Sequence, residues 1–109
     1  MMKNFEFCNL SEKLFLLVEK NIERCCTNLD VDCEIHHNMI VITFENKSKI
    51  IINQKENIHQ IWLATKKFGY HFKYKKNKWI CIRTKQTFWK ILEQSFLEQS
   101  NSVIHFKYF

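Results

Sequence analysis

The apolar and polar positions of this chain follow two different periods, which predict two kinds of secondary structure. From Phe7 to Ile22, apolar residues recur every three or four positions, as on one face of an α-helix. Glu12, Glu19 and Glu23 lie together on the opposite side of that helix. Helical spacing returns from Gln86 to Gln99. The pattern therefore predicts one helix near each end of the chain.

The residues between these helices alternate with the period of β-strands. From Asp30 to Ile35, polar and apolar residues alternate strictly, which predicts a strand with three carboxylates on one face. Short apolar segments follow, and their connections are too short for parallel crossovers, so antiparallel hairpins are favoured. The six predicted strands are Asp30–Ile35, Met39–Phe44, Lys49–Asn53, His59–Ala64, Tyr70–Tyr74 and Trp79–Ile82.

This order of elements predicts an α+β protein. We expect residues 1–109 to form a single monomeric domain, a two-layer α/β sandwich with two helices packed on one face of an antiparallel sheet. Gln60 and Trp62 have the opposite parity to Ile61 and Leu63, so they should lie on the open face. The tail after Val103 is apolar enough to pack back on the domain. The expected core contains Leu14, Leu17, Phe44, Ile61, Leu63, Leu92 and Phe96.

Composition excludes several classes of protein. The chain of 109 residues is 46% apolar, has one glycine and no proline, and so offers no glycine-rich loop for a nucleotide. It contains no apolar stretch of the length of a signal peptide or a membrane span, which favours a cytoplasmic protein. Its five cysteines include no Cys-x-x-Cys motif, so we expect free thiols rather than a disulfide framework or a zinc ribbon.

The net charge of +6 is unevenly distributed. Residues 1–34 hold seven acids and four bases, whereas residues 35–109 hold four acids and thirteen bases. A basic region can indicate an anionic partner such as nucleic acid or a membrane surface. Lysine outnumbers arginine by fifteen to two, however, and asparagine, isoleucine and phenylalanine are abundant, which favours an AT-rich genome as the explanation.

Eight segments give the chain a family resemblance, and the spacing Asn53, Gln60, Trp62 is the most specific part of it. The segments are 30–35, 42–46, 48–53, 59–65, 69–72, 79–81, 87–89 and 92–94. Together they resemble the frataxin family, specifically its bacterial CyaY-type branch, over nearly the whole chain. The resemblance implies an α–β sandwich that binds iron weakly, as Fe²⁺ or Fe³⁺, through surface carboxylates. It also implies a role in iron–sulfur cluster assembly, as iron donor or as regulator.

The resemblance further implies which residues carry this function. The resemblance implies the cysteine desulfurase and its scaffold protein as partners. We expect a protein that is not an enzyme, since the ferroxidase activity of eukaryotic relatives is not carried over to this chain. Asn53, Gln60 and Trp62 are the implied partner-binding residues, since an exposed tryptophan on a sheet face is typical of a binding hot spot. Oligomers formed with iron are a further possibility. The implied metal ligands are Glu19, Glu23, Asp30, Asp32 and Glu34.

This sequence departs from the family pattern where Lys20, Arg24, Cys26 and Asn28 occupy positions that usually carry carboxylates. Replacing acids by bases weakens the attraction of the ridge for cations. Two alternative functions therefore stay open. The basic segment 67–74, with its interleaved aromatic residues, would suit an RNA-binding module. A ferroxidase that stores iron is the other alternative.

Overall fold

The computed structural model describes residues 2–27 and 29–107, which contain two α-helices and one six-stranded sheet. A single 3₁₀ turn, Glu56–Ile58, precedes the fourth strand. The predicted order of helix, six strands and helix is confirmed. The elements are α1 (Asn4–Cys25), β1 (Asp32–Ile35), β2 (Met39–Thr43), β3 (Lys49–Lys55), β4 (Gln60–Ala64), β5 (Gly69–Lys75), β6 (Lys78–Cys81) and α2 (Phe88–Ser100).

The sheet is an antiparallel meander in which each strand pairs with its neighbours in sequence. β1 and β6 are therefore its two edges, and β4 lies inside it. The register places Asn53 of β3 and His71 of β5 on either side of Trp62. Because directly paired residues point to the same face, these three side chains share the face that the helices leave open.

The core lies between the helices and the other face of the sheet. Ile40, Ile52 and Phe72 are fully buried on the sheet side, and Val18 and Phe96 on the helix side. Of the seven predicted core residues, six are buried. Leu17 is only half-buried, because it lines an open groove of about 400 Å³ between α1, β6 and the start of α2.

Each predicted strand differs from the observed one by one or two residues at one end or at both, and two of the strand starts have a local explanation in the backbone. The first strand begins at Asp32 rather than Asp30, because the amide of Val31 donates to the carbonyl of Leu29 in a tight turn (2.9 Å). Asp30 therefore lies in a loop and does not share a strand face with the two later carboxylates. The fourth strand begins at Gln60, because His59 adopts a left-handed conformation (φ 53°) that ends the 3₁₀ turn.

The tail packs between the two helices as far as the structure describes it. The buried Asn21 of α1 accepts a hydrogen bond from the amide of Lys107 (2.8 Å) and donates to its carbonyl (2.7 Å). Glu93 of α2 accepts from the amide of Phe106, whose ring is buried. Tyr108 and Phe109, the end of the predicted packing segment, lie outside the described residues.

Candidate functional site

The acidic ridge, which we define as Glu19, Glu23, Asp30, Asp32 and Glu34, follows α1 and then β1. Glu19 and Glu23 lie one helical turn apart on α1. Asp30 lies in the connection, and Asp32 and Glu34 lie on β1. Since β1 pairs only with β2, the ridge runs along a free edge of the sheet.

The edge strand divides the ridge into two groups. Cys33 pairs with the buried Ile42, so its side chain points toward the helices. Asp32 and Glu34 have the opposite parity and point to the open face of the sheet. The structure therefore brings the five predicted carboxylates to one edge of the molecule but not to one face.

The half-buried thiol of Cys33 lies between these two groups. Burial is the main cause that raises its pKa to about 11, and the negative charges of Glu19, Asp32 and Glu23 raise it further, as does the neighbouring thiol of Cys26. Carboxylates from the helix and from the strand thus act on the same atom. Glu19, Glu23 and Asp32 therefore act on one point of the surface, even though their side chains point in two directions.

The ridge carboxylates form no ion pair with lysine or arginine within the part of the chain that the structure describes. His36 lies 3.4 Å from Glu34, and both side chains are more than half exposed. Arg24 instead donates to the side chain of Asn21 and lies 3.4 Å from the sulfur of Cys25. In the described residues, Lys20 and Arg24 therefore neutralise no ridge carboxylate by direct contact. Asn28 lies outside the described residues.

Metal-binding capacity depends on how many ligands can reach one ion. Among residues 2–27 and 29–107, no three histidine, cysteine, aspartate or glutamate side chains are placed so that they could hold one metal ion. An ion at the ridge would be held by one or two carboxylates and would keep water as its other ligands. Such an arrangement gives weak and exchangeable binding of a hard cation.

The second candidate surface, which we call the Trp62 face, is the open side of β3, β4 and β5. The indole Nε1 of Trp62 donates to Oε1 of Gln60 (2.8 Å). His71 stacks on the indole, with ring centres 4.1 Å apart and planes at 7°. Lys55, from the strand on the other side of β4, places its ammonium group 4.8 Å from the ring centre. Trp62 is therefore half-buried between neighbours and offers mainly the rim of its ring.

The structure brings the predicted trio Asn53, Gln60 and Trp62 together and adds His71 and Lys55 to it. Sequence reasoning missed the stack because it depends on which residue of β5 lies opposite Trp62. That register is set by the turn at 65–68, where the amide of Thr65 donates to the carbonyl of Phe68. The alternation of residues along β5 places His71 on the open face. Once β4 and β5 are aligned, this alternation identifies His71 as the residue beside Trp62.

Two acidic residues beside the ridge were also missed as site residues. Glu12 lines the same surface hollow as Glu19, next to the turn at 36–38. Glu45 lines a second hollow together with Asp30. The spacing of seven residues between Glu12 and Glu19 indicates a shared helix face, whereas nothing in the sequence places Glu45 near Asp30.

The basic, aromatic segment 67–74 does not form an RNA-recognition fold. Residues 69–74 of it lie in β5 of the antiparallel meander, where Arg83 stacks over Tyr70 (5.5 Å) and Phe72 is buried in the core. The β-α-β-β-α-β order of that fold is absent from the described residues. Those residues also contain no helix that is both long and apolar enough to cross a bilayer.

Comparisons with known proteins agree with this geometry. The chain is 50% identical, over 101 residues, to the iron–sulfur cluster assembly protein CyaY of Buchnera aphidicola, and the match covers 93% of this chain and 86% of that protein. It superposes on frataxin from Psychromonas ingrahamii with a TM-score of 0.90 and 34% identity, covering 98% of this chain and 100% of that one.

A more distant structure shares the fold alone. Trimeric frataxin from the yeast Saccharomyces cerevisiae, complexed with ferrous iron, matches with a TM-score of 0.66 and 17% identity, covering 94% of this chain and 89% of that one. The family model of the frataxin-like domain matches residues 1–102. On these grounds the chain belongs to the frataxin family.

Proposed function

We propose that this protein serves iron–sulfur cluster assembly in the cytoplasm as a binding protein and not as an enzyme. It binds ferrous or ferric iron weakly at the acidic ridge. It acts on a cysteine desulfurase and its scaffold protein, as iron donor, as regulator or as both. Two facts about relatives support this proposal: the 50% identical protein is named for iron–sulfur cluster assembly, and the yeast frataxin is complexed with ferrous iron.

The observation that carries the proposal is the set of carboxylates without basic partners along one edge. In the described residues, His36 is the sole basic side chain within 4.0 Å of a ridge carboxylate. Carboxylates that keep their negative charge uncompensated attract hydrated cations by a field that salt screens within about 10 Å at 0.1 M ionic strength. We therefore expect iron binding that is weak, reversible and sensitive to salt, which suits delivery or sensing.

The proposed contact with the protein partners combines the ridge and the Trp62 face. Asp32 and Glu34 point to the same open face as Trp62. β1 and β4 are three strands apart, which corresponds to about 14 Å. One partner surface can therefore cover both, with charged contacts at the edge and an aromatic contact near the middle of the sheet.

The test of iron binding is an anaerobic titration of the apoprotein with ferrous ion, followed by amide chemical shifts. We expect shifts and broadening at Glu19, Glu23 and the residues of β1, and a smaller effect at higher salt. A Glu19→Gln/Glu23→Gln variant should bind more weakly. The matched control is Glu6→Gln/Glu98→Gln, which removes the same charge from exposed positions outside the ridge.

Changes confined to histidines or cysteines would overturn the assignment to carboxylates. A control pair that weakens binding as much as the ridge pair would show that only net charge matters. Oxygen consumption measured after ferrous ion is added tests the ferroxidase alternative. Consumption that depends on the ridge carboxylates would contradict the proposal of a protein that is not an enzyme.

A further inference from the structure

The acidic ridge contains an apolar centre. Leu16 of α1 and Ile35 at the end of β1 are 55% and 43% exposed. Both line one surface hollow of about 280 Å³, whose rim is formed by Glu12, Glu19 and the turn after β1. Single exposed apolar residues are common on protein surfaces, but these two come from different elements and meet in one depression. We call this depression the ridge hollow.

The core explains why Leu16 is exposed. Leu14, Phe15 and Val18 direct the buried side of α1 toward the sheet, so Leu16 lies on the side that faces solvent. Phe15 is 9% exposed and forms part of the floor of the hollow. A helix position that faces water does not need leucine for folding. The leucine therefore gives this face an exposed apolar surface, which a polar residue would not supply.

The charges around the hollow indicate what it can bind. Glu12 and Glu19 lie four residues before and three residues after Leu16, so all three share one side of the helix. Glu34 points to the open face of the sheet and does not line the hollow, whereas His36 and His37 of the following turn do. The residues that line the hollow include no lysine and no arginine. An apolar depression with an acidic rim is complementary to an apolar side chain flanked by basic ones.

We propose that the ridge hollow binds a basic segment of a partner protein that inserts an apolar side chain between Leu16 and Ile35. Lysine or arginine residues beside that side chain then contact Glu12 and Glu19. This inference rests on the proposed function, since it assigns an anchor to the ridge through which the desulfurase is bound. The ridge thereby becomes a protein interface with a desolvated centre and a charged margin.

The two kinds of contact respond differently to salt, and this difference makes the proposal testable. Charged contacts at the rim lose strength as ionic strength rises, whereas apolar contacts hardly change. Removing the apolar centre should therefore lower affinity by the same factor at low and at high salt. Removing the rim charges should lower it at low salt only.

The experiment uses the full chain and the cysteine desulfurase of the same organism as the probe, titrated at two ionic strengths. The test variant is Leu16→Ser/Ile35→Ser. The matched control is Leu97→Ser/Ile82→Ser, which changes a helical leucine and an isoleucine directly after β6, with 44% and 39% exposure. We expect the test variant to bind about tenfold more weakly at both salt concentrations and the control within about twofold of the parent.

The outcomes distinguish this inference from the proposed function. If the parent protein does not bind the desulfurase, the partner assignment of the proposed function is wrong. If the parent binds and the test variant binds as tightly as the control, the ridge hollow is not an anchor. Sedimentation velocity provides a further test. Self-association of the parent that Leu16→Ser/Ile35→Ser abolishes would make a second copy of this chain the occupant and would overturn the proposal.

A measurement on the parent protein avoids any doubt about the folding of the variants. Amide signals of the labelled parent are followed as unlabelled desulfurase is added. We expect the signals of Leu16 and Ile35 to shift or broaden with those of Glu12 and Glu19. Changes that spare Leu16 and Ile35 would contradict the proposal whatever the variants do.

Discussion

The acidic ridge and the Trp62 face differ in what their side chains contact within the protein. The ridge carboxylates are without lysine or arginine partners in the described residues, and all of them are exposed except Glu19, which is half-buried. Trp62 has a hydrogen-bond partner, a stacked ring and an ammonium group beside it. The ridge can therefore bind through its field before any contact forms, whereas the Trp62 face can bind only by contact.

The largest expected effect is on the Trp62 face. Trp62→Ala should weaken binding to the desulfurase–scaffold complex by at least about 1–2 kcal/mol, because it removes the largest apolar group from that surface. The loss should be the same at low and high salt. Titration calorimetry at two ionic strengths measures both quantities. Trp62→Phe is the control, since it keeps an aromatic ring next to His71 but loses the hydrogen bond to Gln60.

A smaller effect is expected from the charges of the ridge. Glu19→Lys/Glu23→Lys should weaken binding by less than about 1 kcal/mol at low salt and by almost nothing at high salt, because exposed charge pairs contribute little and are screened. The same calorimetry measures it. If Trp62→Ala binds like the parent while this reversal abolishes binding, the ridge dominates and the comparison above is wrong.

Sequence alone was sufficient where the pattern depends on neighbours along the chain. Alternation identified all six strands, and the parity of Ile61 and Leu63 predicted that Trp62 lies on the open face. Helical spacing identified the carboxylate side of α1. These predictions succeed because a one-residue error would move every apolar side chain of an element to the wrong face.

Contacts between distant residues could not be predicted in this way. Asn21 is polar and stands within the apolar pattern of α1, and only the path of the tail explains its burial, through hydrogen bonds to Lys107. Asp30 continues the alternation of β1, yet a hydrogen bond of the preceding turn takes it out of the strand. The five ridge positions could be named from the resemblance, but their division between two faces required the register of β1 with β2.

The stack on Trp62 provides the third prediction. His71→Ala should lower the free energy of unfolding by about 0.5–1 kcal/mol, because an aromatic cross-strand pair is lost. It should also uncover one side of the indole and shift its fluorescence emission to longer wavelength. Chemical denaturation followed by tryptophan fluorescence measures both. Lys73→Ala is the control, since it changes an exposed residue of the same strand and face. A variant that is as stable as the parent would show that the stack contributes nothing.

The last prediction concerns Cys33, whose thiol lies between the two groups of ridge carboxylates. Its pKa of about 11 lies above the usual value of 9, so the folded protein holds this proton more tightly than the unfolded chain does. The contribution to stability is therefore present below about pH 9 and is lost as the pH rises through about 11. The free energy of unfolding of the parent should fall between about pH 9 and pH 11, and that of Cys33→Ala should fall less over the same range. Cys25→Ala, which keeps Cys33, should behave as the parent does.

Burial and the nearby carboxylates both raise the pKa of Cys33, and a variant can separate these two causes. Glu19→Gln/Glu23→Gln removes two of the negative charges but leaves the burial unchanged, so the pKa of Cys33 should fall and still stay above its usual value. The pH dependence of alkylation by iodoacetamide, followed at the Cys33 peptide by mass spectrometry, measures this pKa. A cation bound at the ridge should also lower the pKa of Cys33. This effect of the cation should be absent in the Glu19→Gln/Glu23→Gln variant. An unchanged pKa in that variant would show that the helix carboxylates do not act at β1, and the ridge would then be two separate surfaces.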